Sequence, residues 1–237
     1  MIGLLILSLA ACSENGDKKG TLTDEATEEK TEAAATEATE AVTQMTGGWT
    51  EADSPVITDE VKALFEKFNT EQTTGVQLTP VAYLASQIVA GTNHRVLCKM
   101  TENSPKGSTT YALVTVYEDL EGHASVTGIE ESFATASGPY DPDIPVDGGW
   151  VESHTSILTE EAKTAVEKAY ADTDDAAYEP KALLKTQVVG GYNYMVLCKV
   201  TPTVPDSEPH YSIVIVYANL DGTAVVIDTY NFTERKT

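Results

Sequence analysis

The chain has 237 residues and a formal net charge of −22 at pH 7. That length predicts two domains of ordinary size. So negative a charge excludes nucleic acid as a partner, because phosphates would be repelled, and disfavours binding to bare anionic lipid.

The first twelve residues are largely apolar and end in Leu9-Ala10-Ala11-Cys12. Small residues before a Cys, after a short apolar run, resemble the lipobox of bacterial lipoproteins. The resemblance implies export, cleavage before Cys12, lipidation of its thiol and anchoring to the cell envelope. A plain secretory signal, or a short core segment that ends in Cys by chance, is the competing reading. So short a run cannot span a bilayer as a helix. No Lys or Arg precedes it, although export signals ordinarily begin basic, which points to a start further upstream. Residues 13–46 are rich in Glu, Thr and Ala and contain no aromatic residue. They cannot bury enough apolar area to offset the entropy of ordering, and they read as a disordered acidic tether.

Gly47-Gly48-Trp49 opens the first folded stretch and Gly148-Gly149-Trp150 the second. A helix is predicted after each. Thr58 and Thr159 suit the N-cap, and Asp59-Glu60 and Glu160-Glu161 put negative charge in the first turn, where the helix dipole favours it. Val61, Leu64, Phe65 and Phe68 recur at helical spacing and predict one apolar face. The matching face in the second copy is Ala162, Ala165, Val166 and Ala169, a thinner one that predicts a weaker core.

From Pro80 onward the chain reads as strands. Residues 80–91, 94–101, 110–117 and 123–133 are rich in Val, Tyr and Thr and are separated by turn signals. Gln87-Ile88-Val89-Ala90-Gly91 stands at the first junction, and Gln187-Val188-Val189-Gly190-Gly191 follows 100 residues later. Asn93, Leu97, Cys98, Lys99, Tyr111, Val116, Tyr117, Leu120 and Gly122 return at the same offset as Asn193, Leu197, Cys198, Lys199, Tyr211, Val216, Tyr217, Leu220 and Gly222. A repeat this long is a whole folding unit, not a solenoid module. Gly followed by Thr-Asn or Tyr-Asn reads as a hairpin that wants positive φ. The last turn of each unit is Leu120-Glu121-Gly122 or Leu220-Asp221-Gly222. Residues 134–147, with Pro139, Pro142 and Pro145, read as a semi-rigid spacer that holds the units apart.

Catalytic chemistry has little support. His94, His123, His154 and His210 do not occupy equivalent positions in the two copies. Cys98 and Cys198 sit inside apolar runs and read as inert core thiols, and with one Cys per unit neither holds an internal disulfide. No phosphate-binding loop, nucleophile elbow or metal-ligand spacing is visible.

Gln-Ile-Val-Ala-Gly-Thr-Asn and Gln-Val-Val-Gly-Gly-Tyr-Asn resemble the Gln-x-Val-x-Gly hairpin of the cystatins, above all the disulfide-free stefins, which inhibit papain-like cysteine proteases. The order of parts agrees: a Gly pair, an amphipathic helix, this hairpin, then a second hairpin. The resemblance implies an α+β fold of two tandem cystatin-like domains, at 47–133 and 148–237, each a long helix wrapped by a four- to five-stranded antiparallel sheet. It implies a monomeric inhibitor with no catalytic residue, cofactor or metal site, able to hold two proteases. The contacts would be Gly47 and Gly48 as a trunk, Gln87, Ile88, Val89, Ala90 and Gly91 in the first hairpin, and Leu120 in the second. Their counterparts are Gly148, Gly149, Gln187, Val188, Val189, Gly190, Gly191 and Leu220. The Pro-Trp pair common in the family's second hairpin is absent; stefins place Leu there. Two other readings stay open: Trp49 as a staple at the helix entry, and the two leucines as packing residues. In function, a non-inhibitory binding module or an envelope structural module is the alternative.

Overall fold

The computed structural model describes residues 47–71, 75–104, 108–132 and 148–234. The first copy of the repeat forms β1 (Trp49–Glu51), α1 (Asp59–Glu71), β2 (Val76–Val89), β3 (Gly91–Glu102), β4 (Thr109–Glu118) and β5 (Ala124–Ser132). The second forms β6 (Trp150–Glu152), α2 (Glu160–Ala169), β7 (Ala176–Val188), β8 (Gly191–Pro202), β9 (His210–Asn219) and β10 (Ala224–Glu234). Both helices begin at the expected caps. Thr58 Oγ1 accepts the Val61 amide at 3.3 Å, and Thr159 Oγ1 accepts that of Ala162 at 3.2 Å.

The expected α+β pair of helix-wrapped domains is overturned. One antiparallel sheet of ten strands runs through both copies, in the order β1-β2-β3-β4-β5-β10-β9-β8-β7-β6. More than half of the described residues are strand, and the helices have only 13 and 10 residues. The copies join where β5 pairs with β10, with Ser132 opposite Phe232 and Glu131 opposite Thr233. From there the sheet curls into a half-barrel.

The curl has a local cause. The pairing register skips Val81 and Leu84 in β2, and Lys181 and Leu184 at the equivalent places in β7. Each skipped residue is a β-bulge, which bends its strand and increases its twist. Pro80 and Pro180 precede the first bulge of each strand, in keeping with the tolerance of bulges for a residue without an N–H.

Curling brings the inner faces of the two copies together. Ala82, Leu84, Leu97, Tyr111 and Leu113 share one buried cluster with Ala182, Leu184, Leu197 and Ile213. The outer faces are covered by the helices. Val61, Leu64 and Phe65 pack on Leu78, Val96, Cys98 and Val114, while Ala162, Ala165 and Val166 pack on Leu183, Val196, Cys198 and Val214. The layers therefore run helix, sheet, sheet, helix. The thin Ala face of α2 is supplemented by Tyr170 and Tyr178, stacked at 3.7 Å and packed against that core. Cys98 and Cys198 are buried, and burial pushes both thiols well up.

The middle cluster corrects the expectation of units held apart. Leu97, Leu113, Leu197 and Ile213 are almost wholly buried in it. At about 1.5–3 kcal/mol for each such side chain, the four contribute on the order of 6–12 kcal/mol, comparable with the net stability of a whole domain. The spacer 134–147, the tether 13–46 and the lipobox with Cys12 lie outside the described residues. Among the described residues, no helix is long and apolar enough to cross a membrane.

Candidate protein-binding edges

Strand register decides where the repeated motif lands. β2 and β3 meet at the Gln87–Gly91 hairpin, and Thr92, just beyond it, stands opposite Glu118 at the end of β4. That pairing sets the Leu120 turn beside the hairpin tip. β1 joins β2 with Trp49 opposite Gln87, so Gly47 and Gly48 reach the same end. Three chain segments distant in sequence thus form one edge.

The motif residues divide into a scaffold and a tip. Gln87 Nε2 donates to the Gly47 carbonyl at 2.9 Å, and Gln87 Oε1 accepts from Asn93 Nδ2 at 2.7 Å. The Gly47 amide donates to the Ile88 carbonyl at 3.1 Å. Gln87 therefore ties trunk to hairpin, and Asn93 orients Gln87. Tyr117 Oη donates to the Ala90 carbonyl at 2.6 Å. Gly91 lies at φ +138°, and a Cβ there would collide with the Glu118 carbonyl and the Tyr117 ring; only glycine lets the chain pass so close. These residues are held by the fold itself, Gly91 being buried and Ile88 half-buried. The surface is left to Val89, 42% exposed, Ala90 and Leu120, 87% exposed. That exposure overturns the packing reading of Leu120. Its turn is fixed by Asp119, whose Oδ1 accepts the amides of Glu121 and His123, each at 2.8 Å. The His123 amide, first among these contacts, holds the Asp119 carboxyl below its usual range.

The second copy repeats the plan. Gln187 Nε2 donates to the Gly148 carbonyl, Asn193 Nδ2 donates to Gln187 Oε1 at 2.7 Å, and Tyr217 Oη donates to the Gly190 carbonyl at 2.9 Å. A Cβ on Gly191 would collide with the Ala218 carbonyl and the Tyr217 ring, whereas one on Gly190 would meet nothing. Val188, Val189 and Gly190 form the exposed tip, and Leu220 is 80% exposed. Gly149 sits in the trunk beside Gly148, as Gly48 does beside Gly47.

The two edges are not brought together. β5 and β10 are antiparallel and pair only near their last residues. Ser132 lies eight residues past Ala124, and Phe232 eight past Ala224. At about 3.3 Å per residue, the path along β5 and β10 from one edge to the other is at most on the order of 50 Å, and the edges lie at opposite ends of it.

Several residues at the edges escaped the motif. Trp49 is 45% exposed and widens the apolar surface of the first edge; it is no buried staple. Tyr192, in place of Thr92, does the same for the second edge and stacks with Tyr194 at 6.1 Å. Lys99 and Lys199 were visible as charged residues kept inside an apolar run in both copies; their partners, Glu152 and Glu51, carried no signal.

Other clusters have simpler roles. Asp119, Glu121 and His123 lie close enough to hold a cation. Asp119 is already committed to the turn, and the second copy has Asn219, Asp221 and Thr223 there, bonded among themselves. A cleft of about 220 Å³ between the copies is lined by Thr79, Lys99, Tyr111, Glu152 and His154, but its Lys99 and Glu152 are bonded to each other. No protein-family model matches the chain, and no curated protein matches it.

Proposed function

We propose that each edge inhibits a papain-like cysteine protease by filling its active-site cleft, and that the chain is held at the cell envelope through Cys12. The observation that carries this reading is the convergence of Gly47-Gly48, Val89-Ala90 and Leu120 at one end of the sheet, and of their counterparts at the other. Each edge offers small or apolar groups on backbone that is already hydrogen-bonded, so little ordering remains to be done on binding. A wedge of ordinary interface size would bury about 800 Å² per partner. The edges lie at opposite ends of the strands that join the copies, so two partners would approach from different sides.

The test is titration of papain with the full-length chain and its tip variants. Ala90→Arg with Leu120→Asp should silence the first edge, and Gly190→Arg with Leu220→Asp the second. Ala90, Leu120 and Leu220 are exposed, and a Cβ added at Gly190 would meet nothing within 4 Å, so the melting temperature should hold. The parent should titrate two equivalents of enzyme, and each silenced form one. A parent that leaves papain active, or a doubly silenced chain that inhibits as well as the parent, overturns the reading in favour of a non-inhibitory binding module.

A further inference from the structure

We propose that each trunk strand is positioned by the opposite copy, so that neither binding edge is complete without the other half of the chain. The consequence for binding rests on the inhibitor reading; the positioning itself does not.

Glu51 ends β1, four residues after Gly47. Its carboxylate lies between two lysines of the second copy: Lys181 in β7, at 2.6 Å, and Lys199 in β8. Glu152 ends β6 at the equivalent place. It bonds Lys99 in β3 of the first copy and lies 3.7 Å from Lys185 of its own. Just beyond it, Ser156 Oγ donates to the Val81 carbonyl at 2.7 Å, again across the copies. Val81 and Lys181 are the bulge residues at the same position of β2 and β7. Bulges commonly re-aim a side chain or end a pairing. Here Val81 bonds the loop that follows the other copy's trunk through its backbone carbonyl, and Lys181 bonds the trunk itself through its ammonium.

Within its own copy each trunk is held by backbone pairing to one neighbour, which the Ala52 and Ser153 amides continue to the Leu84 and Leu184 carbonyls at 2.9 Å. β1 and β6 have three residues, sit at the outer ends of the sheet and pair on one side only. The glycine pair ahead of each adds backbone freedom. Gln87 fixes the trunk at Gly47 and the cross-copy lysines fix it at Glu51, so the segment between is bracketed. The lysine side chains are 22% and 29% exposed and that of Glu51 40%, so each pair alone is worth at most about 1 kcal/mol and the two lysines act on Glu51 together. Lys181 and Lys199 are therefore positioning residues for the first edge, and Lys99 and Ser156 for the second.

Hydrogen exchange of the full-length chain tests this directly. In Lys181→Met with Lys199→Met, amides of residues 47–52 should exchange about tenfold faster, while those of 148–153 stay unchanged. With the second edge silenced, the inhibition constant of the first should rise by a similar factor; with the first silenced, that of the second should stay within about twofold. Lys181→Arg with Lys199→Arg should restore both readouts. Unchanged exchange at 47–52, or equal loosening of both trunks, overturns the proposal, the latter by showing that the lysines merely hold the fold together. If the parent leaves papain active, the exchange pattern still decides the positioning claim, and only the protease reading falls.

Discussion

Gly91→Ala separates the scaffold of the hairpin from its contact surface. Gly91 sits at φ +138°, with the Glu118 carbonyl and the Tyr117 ring where a Cβ would go. A non-glycine residue held in so sparse a backbone region costs about 1–3 kcal/mol. Moving Tyr117 aside also loses its hydrogen bond to the Ala90 carbonyl, worth about 0.5–1.5 kcal/mol. The total, about 1.5–4.5 kcal/mol before any shift of the Glu118 carbonyl, lowers Tm by roughly 3–18 °C in a chain of this size. Gly190→Ala is the control, because nothing lies within 4 Å of its added Cβ. It should melt at or slightly above the parent, since it restricts the unfolded chain by about 0.4–1 kcal/mol. Thermal unfolding followed by circular dichroism reads both. A Gly91→Ala chain that melts with the parent would refute the argument that the motif glycine is fixed by close packing against Tyr117.

The shared middle core makes unfolding of the copies a single event. Leu97→Ala or Leu197→Ala should each cost about 2–5 kcal/mol and lower one common midpoint. Trp49 and Trp150, one in each copy, report it separately in the Trp150→Phe and Trp49→Phe backgrounds; two distinct midpoints would contradict the shared core. Tyr217→Phe removes the bond to the Gly190 carbonyl and should cost about 0.5–1.5 kcal/mol, with faster amide exchange confined to residues 188–191. For pH, the hydrogen bonds from Lys181 and then Lys199 hold the Glu51 carboxyl below its ordinary value of 4.5. A depressed folded value means the stabilisation is present above that pH and is lost as pH falls through the folded value. Once exchange rates are corrected for intrinsic chemistry, protection of residues 47–52 should hold from neutral pH to about 5 and fade below about 4.5; loss between pH 6 and 8 would contradict the pairing.

Local structure was legible in the sequence and the joining of the copies was not. Thr58 and Thr159 cap their helices because a side-chain oxygen one turn ahead of a free amide is a purely local match. The Val61/Leu64/Phe65 face is buried because helical periodicity fixes which residues share a side. The hairpins fall at Gly91 and Gly191 because those positions need a backbone without Cβ. What failed was the inference of a sheet covered on one face. Tyr111, Ala112, Leu113 and Val114 are buried in succession, as are Ile213, Val214, Ile215 and Val216. A one-sided antiparallel sheet alternates apolar with polar; unbroken runs belong to strands covered on both faces. That signal was present and pointed to a second layer. Which layer, and the pairing of Ser132 with Phe232, depend on bulges at Val81, Leu84, Lys181 and Leu184 that no local pattern announces. The candidate edges were legible as motif residues, but the division of labour was not. Gln87, Gly91 and Asn93 repeat because they build the edge; the exposed Val89 and Leu120 repeat as well, while Ala90 becomes Gly190 and the neighbouring Thr92 becomes Tyr192.

Footprinting by hydrogen exchange against inactive, thiol-blocked papain in excess tests the central claim most directly. Slowed exchange should be confined to residues 47–48, 88–91 and 119–122 and to their counterparts 148–149, 188–191 and 219–222. Protection on α1, α2 or the outer strand faces, or at neither edge, would contradict it.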